Sequence, residues 1–122
     1  MRARRGGLRR NALRASGRGH HNVYVVELRW SVLTEERFAA ANPEHDPAKP
    51  CVYVGLTGLD PEERYLNHLT GIKASRFVEE YGARLMPELY EHLNPMPYEV
   101  ALRTEGELAR ELRREGYAVW SN

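Results

Sequence analysis

The stretch from Cys51 to His68, CVYVGLTGLDPEERYLNH, constrains the chain more than any other. Cys51, Val52, Tyr53 and Val54 are strand formers, and Gly55 and Gly58 place a turn directly after them. A helix start follows. Asp60 suits the N-cap and Pro61 the first helical position, and Glu62 and Glu63 put negative charge where free amides and the helix dipole favour it. The helix is therefore predicted from Pro61. Arg64 and His68 are then one turn apart on the same face, while Leu66 and Leu69 are spaced to face a core. A polar pair beside the end of a strand carrying Tyr53 is arranged like a site.

With 122 residues the chain has length for one domain and a modest core, and 42% hydrophobic residues is ordinary for a globular protein. No run approaches the roughly 18 apolar residues that span a bilayer. The basic N-terminus is not followed by an apolar segment, so no secretory signal is expected. The single Cys51 excludes an intramolecular disulfide and fits a reducing, cytoplasmic setting. No activation motif accompanies it, so it reads as a buried strand residue.

The formal net charge of +1 conceals a division. Residues 1–19, MRARRGGLRRNALRASGRG, hold seven arginines and no acid, and the remainder holds 11 basic against 17 acidic residues, a balance of −6. Residues 1–20 are expected to form a basic, disordered arm that either lies along a phosphate backbone or is a solvated tail. Residues 21–122 form the folded domain.

In chain order, Asn22 to Trp30 reads as a strand, and the uninterrupted run Val23 to Val26 predicts cover on both its faces. Residues 31–50 read as an elaborated hairpin connection. Thr34 caps a short helix, EERFAAA, that Asn42-Pro43 stops, and a polar loop follows in which His45 and Asp46 read as solvated surface. Cys51 to Leu56 then pairs antiparallel with the first strand. Beyond the Pro61 helix, Thr70-Gly71 breaks the pattern and Ser75 caps RFVEEYG. Ala83 to Met86 is either a third strand or the approach to a helix, and PELYEHL gives a helical turn or two before Asn94-Pro95. From Tyr98 to Glu115, Ala101, Glu105, Leu108, Ala109 and Leu112 fall on one helical stripe, and Gly116 closes it. YAVW is a final strand or a packed extension. The expected fold is α/β (α+β), with a small, mostly antiparallel three-stranded sheet flanked by helices.

Glu105 interrupts an apolar stripe and admits two readings. Thr104 caps a shorter helix with Glu107 at its third position, leaving Glu105 in an exposed first turn. Alternatively, Glu105 points into a cleft and holds a cation, since a carboxylate facing a core is costly unless paired or metal-bound. Glu107 and Glu111 are the neighbouring carboxylates that compete for that role.

Asn22-Val23-Tyr24, Tyr53-Val54-Gly55, then Thr57, Arg64 and His68, and finally Ala101 and Glu105, resemble in order and spacing the GIY-YIG nuclease superfamily. In that family two strands carry the named triplets, the next helix carries an arginine, and a later helix carries a metal-binding glutamate. The resemblance runs from about Asn22 to Leu112. Asn22 stands where the first triplet has glycine, Val23 and Val54 replace isoleucines, and the 28 residues between Tyr24 and Tyr53 imply an insertion.

The resemblance implies a metal-dependent endonuclease that hydrolyses phosphodiester bonds, with DNA favoured over RNA. In it Tyr24 acts as general base, Tyr53 supports it, Arg64 stabilises phosphoryl charge, His68 orients a tyrosine or contacts phosphate, and Glu105 holds Mg²⁺ or Mn²⁺. A protein partner or a homodimer would supply specificity. The alternative is a catalytically inactive module of the same fold that binds nucleic acid or protein, which the acidic body favours.

Overall fold

Two apolar runs with no polar interruption must lie where both faces of a sheet are covered. The computed structural model, which describes residues 19–121, shows this arrangement. The basic arm predicted for residues 1–20 lies almost entirely outside the described residues. Strand β1 (Asn22–Leu28) pairs antiparallel with β2 (Cys51–Thr57), from Asn22 opposite Thr57 to Leu28 opposite Cys51. Strand β3 (Gly82–Leu85) joins the other side of β1 antiparallel, and β4 (Ala118–Ser121) runs parallel to β2.

The class is the expected mixture of helices and a sheet, but the sheet has four strands, ordered β3-β1-β2-β4, in place of three. YAVW supplies the fourth. A parallel neighbour needs a long crossover, and the helix preceding YAVW provides one.

The register sorts the side chains. Tyr24, Val26, Leu28, Tyr53, Gly55, Ala118 and Trp120 share one face; Val23, Val25, Val52, Val54 and Val119 share the other. Helices α1 (Glu36–Ala40), α2 (Pro61–Leu69) and α3 (Arg76–Tyr81) cover the aromatic face. Phe77 lies 5.6 Å from Phe38 and 4.9 Å from Trp120, ring centre to ring centre. The insertion therefore contributes Val32 and Phe38 to the core. Helix α4 (Tyr98–Arg114) turns Ala101, Ala109 and Leu112 toward the valine face.

Helix α2 begins at Pro61 as expected, but Leu66 and Leu69 are exposed, because its inward face is taken by His68. Helix α1 starts at Glu36. The segment Trp30–Thr34 before it is a 3-10 turn, in which the Thr34 hydroxyl bonds back to the Ser31 carbonyl instead of capping a helix. PELYEHL forms two 3-10 turns, Pro87–Leu89 and Glu91–Leu93. At the end of α4 the Tyr117 amide reaches Leu112 and the Gly116 amide reaches Arg113, with Gly116 at φ +100°. This left-handed closure, which glycine adopts without strain, aims the chain into β4. Among the described residues no helix is long and apolar enough to cross a membrane.

Two asparagines finish the short edges of the sheet. Val23, beyond the reach of β3, has its amide and carbonyl bonded by the Asn94 side chain at 2.8 and 2.7 Å. On the outer edge of β4, Asn42 accepts from the Val119 amide at 2.7 Å and donates to the Val119 carbonyl at 3.0 Å. Asn42 also bonds the Phe38 carbonyl and Arg113. Replacing this buried amide leaves several polar groups unsatisfied, so Asn42→Ala should lower stability by about 2–4 kcal/mol in urea unfolding. The Val119 amide should lose hydrogen-exchange protection in the same variant.

Candidate active site

The site begins with the triplet Tyr53-Val54-Gly55. Tyr24 lies opposite Gly55 in the register, and its ring leans over that glycine. A Cβ at Gly55 would meet Tyr24 Cζ and Oη at 2.6 Å, so the tyrosine occupies the space that glycine vacates. Two residues back on the same face, the Tyr53 ring centre lies 6.1 Å from that of Tyr24.

Helix α2 closes over both rings. His68 is fully buried, with ring centres 6.0 Å from Tyr24 and 5.6 Å from Tyr53. Its Nε2 is 2.8 Å from the Tyr24 hydroxyl oxygen, and its Nδ1 is 2.9 Å from the Ser75 amide nitrogen. A backbone N–H can only donate, so Nδ1 is the acceptor and Nε2 carries the ring proton. His68 therefore donates to the Tyr24 oxygen and leaves the tyrosine proton to point elsewhere.

Arg64 is held by the loop between α2 and α3. Its Nη1 donates to the Ile72 carbonyl at 3.2 Å and its Nη2 to the Lys73 carbonyl at 2.8 Å. The loop turns through Gly71 at φ +85° and Lys73 at φ +48°. It thus fixes both polar residues of α2, Arg64 through two carbonyls and His68 through the Ser75 amide.

Burial and neighbours set the charge states. Burial first, and Arg64 second, push His68 down to about 4, so the imidazole is neutral at physiological pH. Burial raises Tyr24 well above the ordinary phenol range, and Tyr53 adds to this. Arg64 opposes it, both as a positive charge and as a donor toward the oxygen. Tyr24 is a protonated phenol in this state. Cys51, buried in β2 as expected, is pushed up to about 11 by burial and by Glu27.

Helix α4 is continuous through Thr104, so Glu105 sits in its middle and not in an exposed first turn. It is 7% exposed and has no hydrogen bond or ion pair among the described residues; burial raises its carboxyl. Glu107 is exposed, and Glu111 is exposed and paired with Arg114. Of the three candidate carboxylates, only Glu105 is buried and orphaned.

Tyr24, Tyr53, Arg64 and His68 are thus brought together on the aromatic face. Glu105 comes from the helix on the valine face, at no bonding distance from them. The side chains of His45 and Asp46 bond only within their loop, to the Lys49 carbonyl and the Ala48 amide, while the Asp46 amide donates to the Gly116 carbonyl at 2.8 Å. Among the described residues no group of three or more His, Cys, Asp or Glu is placed to hold a metal. The Ser75 amide and the Ile72 and Lys73 carbonyls were not legible in the sequence, since backbone groups carry no residue signal; Gly71 alone marked the turn. No family model, curated protein or solved structure matches the chain.

Unfolded, His68 titrates near the usual 6.5, and folded near 4, so between these values the unfolded chain takes up the extra proton. The His68 contribution to stability is complete above about pH 6.5 and falls as pH drops toward 4, by ~3 kcal/mol at the limit. Nitrogen-15 NMR should show a protonated Nε2 and an unprotonated Nδ1 that stay unchanged from neutral pH down to about pH 5. A midpoint near the ordinary histidine value would mean that the ring is solvated.

Proposed function

We propose that the chain is a metal-dependent endonuclease of the GIY-YIG type that hydrolyses phosphodiester bonds, acting on DNA in preference to RNA. One observation carries this reading: residues from three separate motif segments, Tyr24, Tyr53 and the pair Arg64–His68, converge in one cluster with a direct Tyr24–His68 hydrogen bond.

In this reading Tyr24 first gives its own proton to solvent, and the phenolate takes the proton of the attacking water as the P–O ester bond breaks, with the leaving oxygen protonated from solvent. The N–H of His68 supports that role, because a donor to the phenol oxygen favours its ionised form. Arg64 spends two N–H groups on the loop and has others to share between the Tyr24 oxygen and phosphoryl oxygens, where they oppose developing negative charge.

The implied Mg²⁺ or Mn²⁺ fits Glu105 by its donor chemistry. A buried, orphaned carboxylate is a suitable single protein ligand for a hard cation whose remaining partners are water and phosphate. Bound there, across the sheet from the tyrosines, the metal would polarise a phosphate oxygen and would not act on the phenol directly. In this reading the enzyme works in a reducing cytoplasm, which its single, buried thiol supports, and a protein partner or second copy supplies sequence preference.

An inactive binding module of the same fold is favoured by one observation. Tyr24 and Tyr53 are each 1% exposed, and Tyr24 is held protonated. Cleavage assays separate the two readings. Plasmid, branched and single-stranded DNA should be cut with Mn²⁺ or Mg²⁺, and EDTA should stop the reaction. Arg64→Ala and Glu105→Gln should each lower the rate by about 10²-fold or more with the fold intact by circular dichroism. No cleavage, together with no heat of metal binding in calorimetry, selects the module.

A further inference from the structure

Arg113, near the end of α4, is a partly buried guanidinium without a counter-charge. Its Nε donates to Asn42 Oδ1 at 3.2 Å and its Nη2 to the Val119 carbonyl at 2.8 Å, both neutral acceptors. Among the described residues it forms no ion pair, although Glu44 lines the same cleft. The two bonds fix the plane of the guanidinium and leave its other N–H groups for further partners. A cation partly withdrawn from water with no carboxylate on it calls for an anion.

The cleft at this guanidinium measures about 460 Å³, within the range of small-molecule sites. The loop after α1 lines it with Pro43, Glu44 and His45, and the end of α4 and the turn beyond it with Arg113, Arg114 and Tyr117. The two sides are stitched together. The Asp46 amide donates to the Gly116 carbonyl at 2.8 Å, and a Cβ on Gly116 would lie 2.9 Å from Asp46 Cβ. Asn42 ties the start of the loop to β4 and to Arg113, so the space is preformed. Each side brings a ring: Tyr117, with the Lys49 ammonium 5.3 Å from its centre, and His45, whose ring centre is 5.6 Å from that of Trp30. The His45 Nε2 donates to the Lys49 carbonyl at 2.8 Å, so in the uncharged ring Nδ1 remains an acceptor. Arg114 is engaged by Glu111, which leaves Arg113 as the unpaired cation of the cleft.

We propose that this cleft binds a small, flat anion whose ring lies against Tyr117. Its oxyanion takes the open N–H groups of Arg113, and N–H donors elsewhere on its ring face Glu44 and Nδ1 of His45. The acid and the guanidinium line one cleft without pairing, and a ligand with both kinds of group satisfies both by bridging them. A bare inorganic anion reaches only the guanidinium and gains nothing from the ring. Adenosine monophosphate and 4-aminobenzoate share the required chemistry, one through a phosphate and the other through a carboxylate. The site is distinct from the Tyr24–His68 cluster, and Arg113 lies ~12 Å along α4 from Glu105.

The test is a titration of the nitrogen-15-labelled full-length chain, in EDTA, with adenosine monophosphate and 4-aminobenzoate, against adenosine, aniline and inorganic phosphate as controls. At least one of the two anions should shift the amides of residues 41–45 and 113–117 and the Arg113 Nε–H. It should bind about tenfold tighter than its uncharged parent or phosphate, as a charge-assisted bond requires. Which of the two binds tells which oxyanion the cleft selects. Tyr117→Leu and Glu44→Gln leave the Asn42–Arg113 bond in place and should each weaken binding about fivefold, with the fold intact by circular dichroism. Arg113→Lys keeps the charge, loses the planar fork and should weaken it further. No shift at about 1 mM ligand, shifts that map elsewhere, phosphate binding as tightly as either anion, or unchanged affinity in Tyr117→Leu or Glu44→Gln would each overturn the proposal. None of these readouts needs nuclease activity, so the failure of either reading leaves the other standing.

Discussion

A buried imidazole bonded through both nitrogens holds the site and much of the fold in one arrangement. His68 links the Ser75 amide, at the start of α3, to the Tyr24 hydroxyl on β1. Without these bonds a fully buried ring would leave two polar atoms unsatisfied, at a cost of about 1–3 kcal/mol each. With them, the position of α2 on the sheet is decided by direction as well as by apolar contact. The exposed Leu66 and Leu69 follow: α2 is seated by a polar residue, and its leucines are left outside. Gly55 is required for the same reason, because the Tyr24 ring reaches His68 only by crossing the space a larger residue would fill.

The sheet around this centre is small, and its edges are finished by side chains. Strands β3 and β4 each have four residues, against seven in β1 and β2. Unpaired strand edges invite further pairing. Asn94 covers Val23 where β3 falls short, and Asn42 covers Val119 on the outer side of β4. Asn42 also carries a load that the loop's polar composition did not suggest: it ties the end of α1, the last strand and Arg113 of α4 together. The insertion is therefore a structural part of the sheet. Phe38 from it meets Phe77 edge-on and stacks with Trp120, the rings that close the aromatic face.

What the sequence disclosed follows from the kind of signal each element carries. Strands β1 and β2 and helix α4 were legible because apolar runs and a three-to-four periodicity are collective patterns, and Asp60-Pro61 and Gly116 mark ends chemically. Strand β4 has only YAVW, four residues whose pairing depends on where α4 delivers them. Thr34 and Asn42 looked like helix punctuation, yet their side chains bond backbone groups in geometries that only the tertiary fold offers. At the site, the residues that bring side-chain chemistry were visible by type and spacing. The loop backbone that orients Arg64 and His68 was not, since carbonyls and amides are the same in every sequence.

The two sides of the sheet treat ionisable groups differently. On the aromatic face His68 is fully satisfied, so its neutral state is part of the packing. On the valine face Glu105 has no partner among the described residues, and burial raises its carboxyl without any bond there to offset the cost. A helix with Ala101, Ala109 and Leu112 on its inner stripe would pack more favourably with an aliphatic residue at that place, so Glu105 does not contribute to folding through any contact the domain supplies. Protonation lightens that cost, since burial already favours the neutral acid. Under the proposed function a hard cation would relieve it too, by replacing the lost hydration of the carboxylate and favouring its ionised form. The satisfied cluster and the orphaned acid therefore differ in kind: one has both nitrogens of its imidazole bonded, and the other has no bond among the described residues.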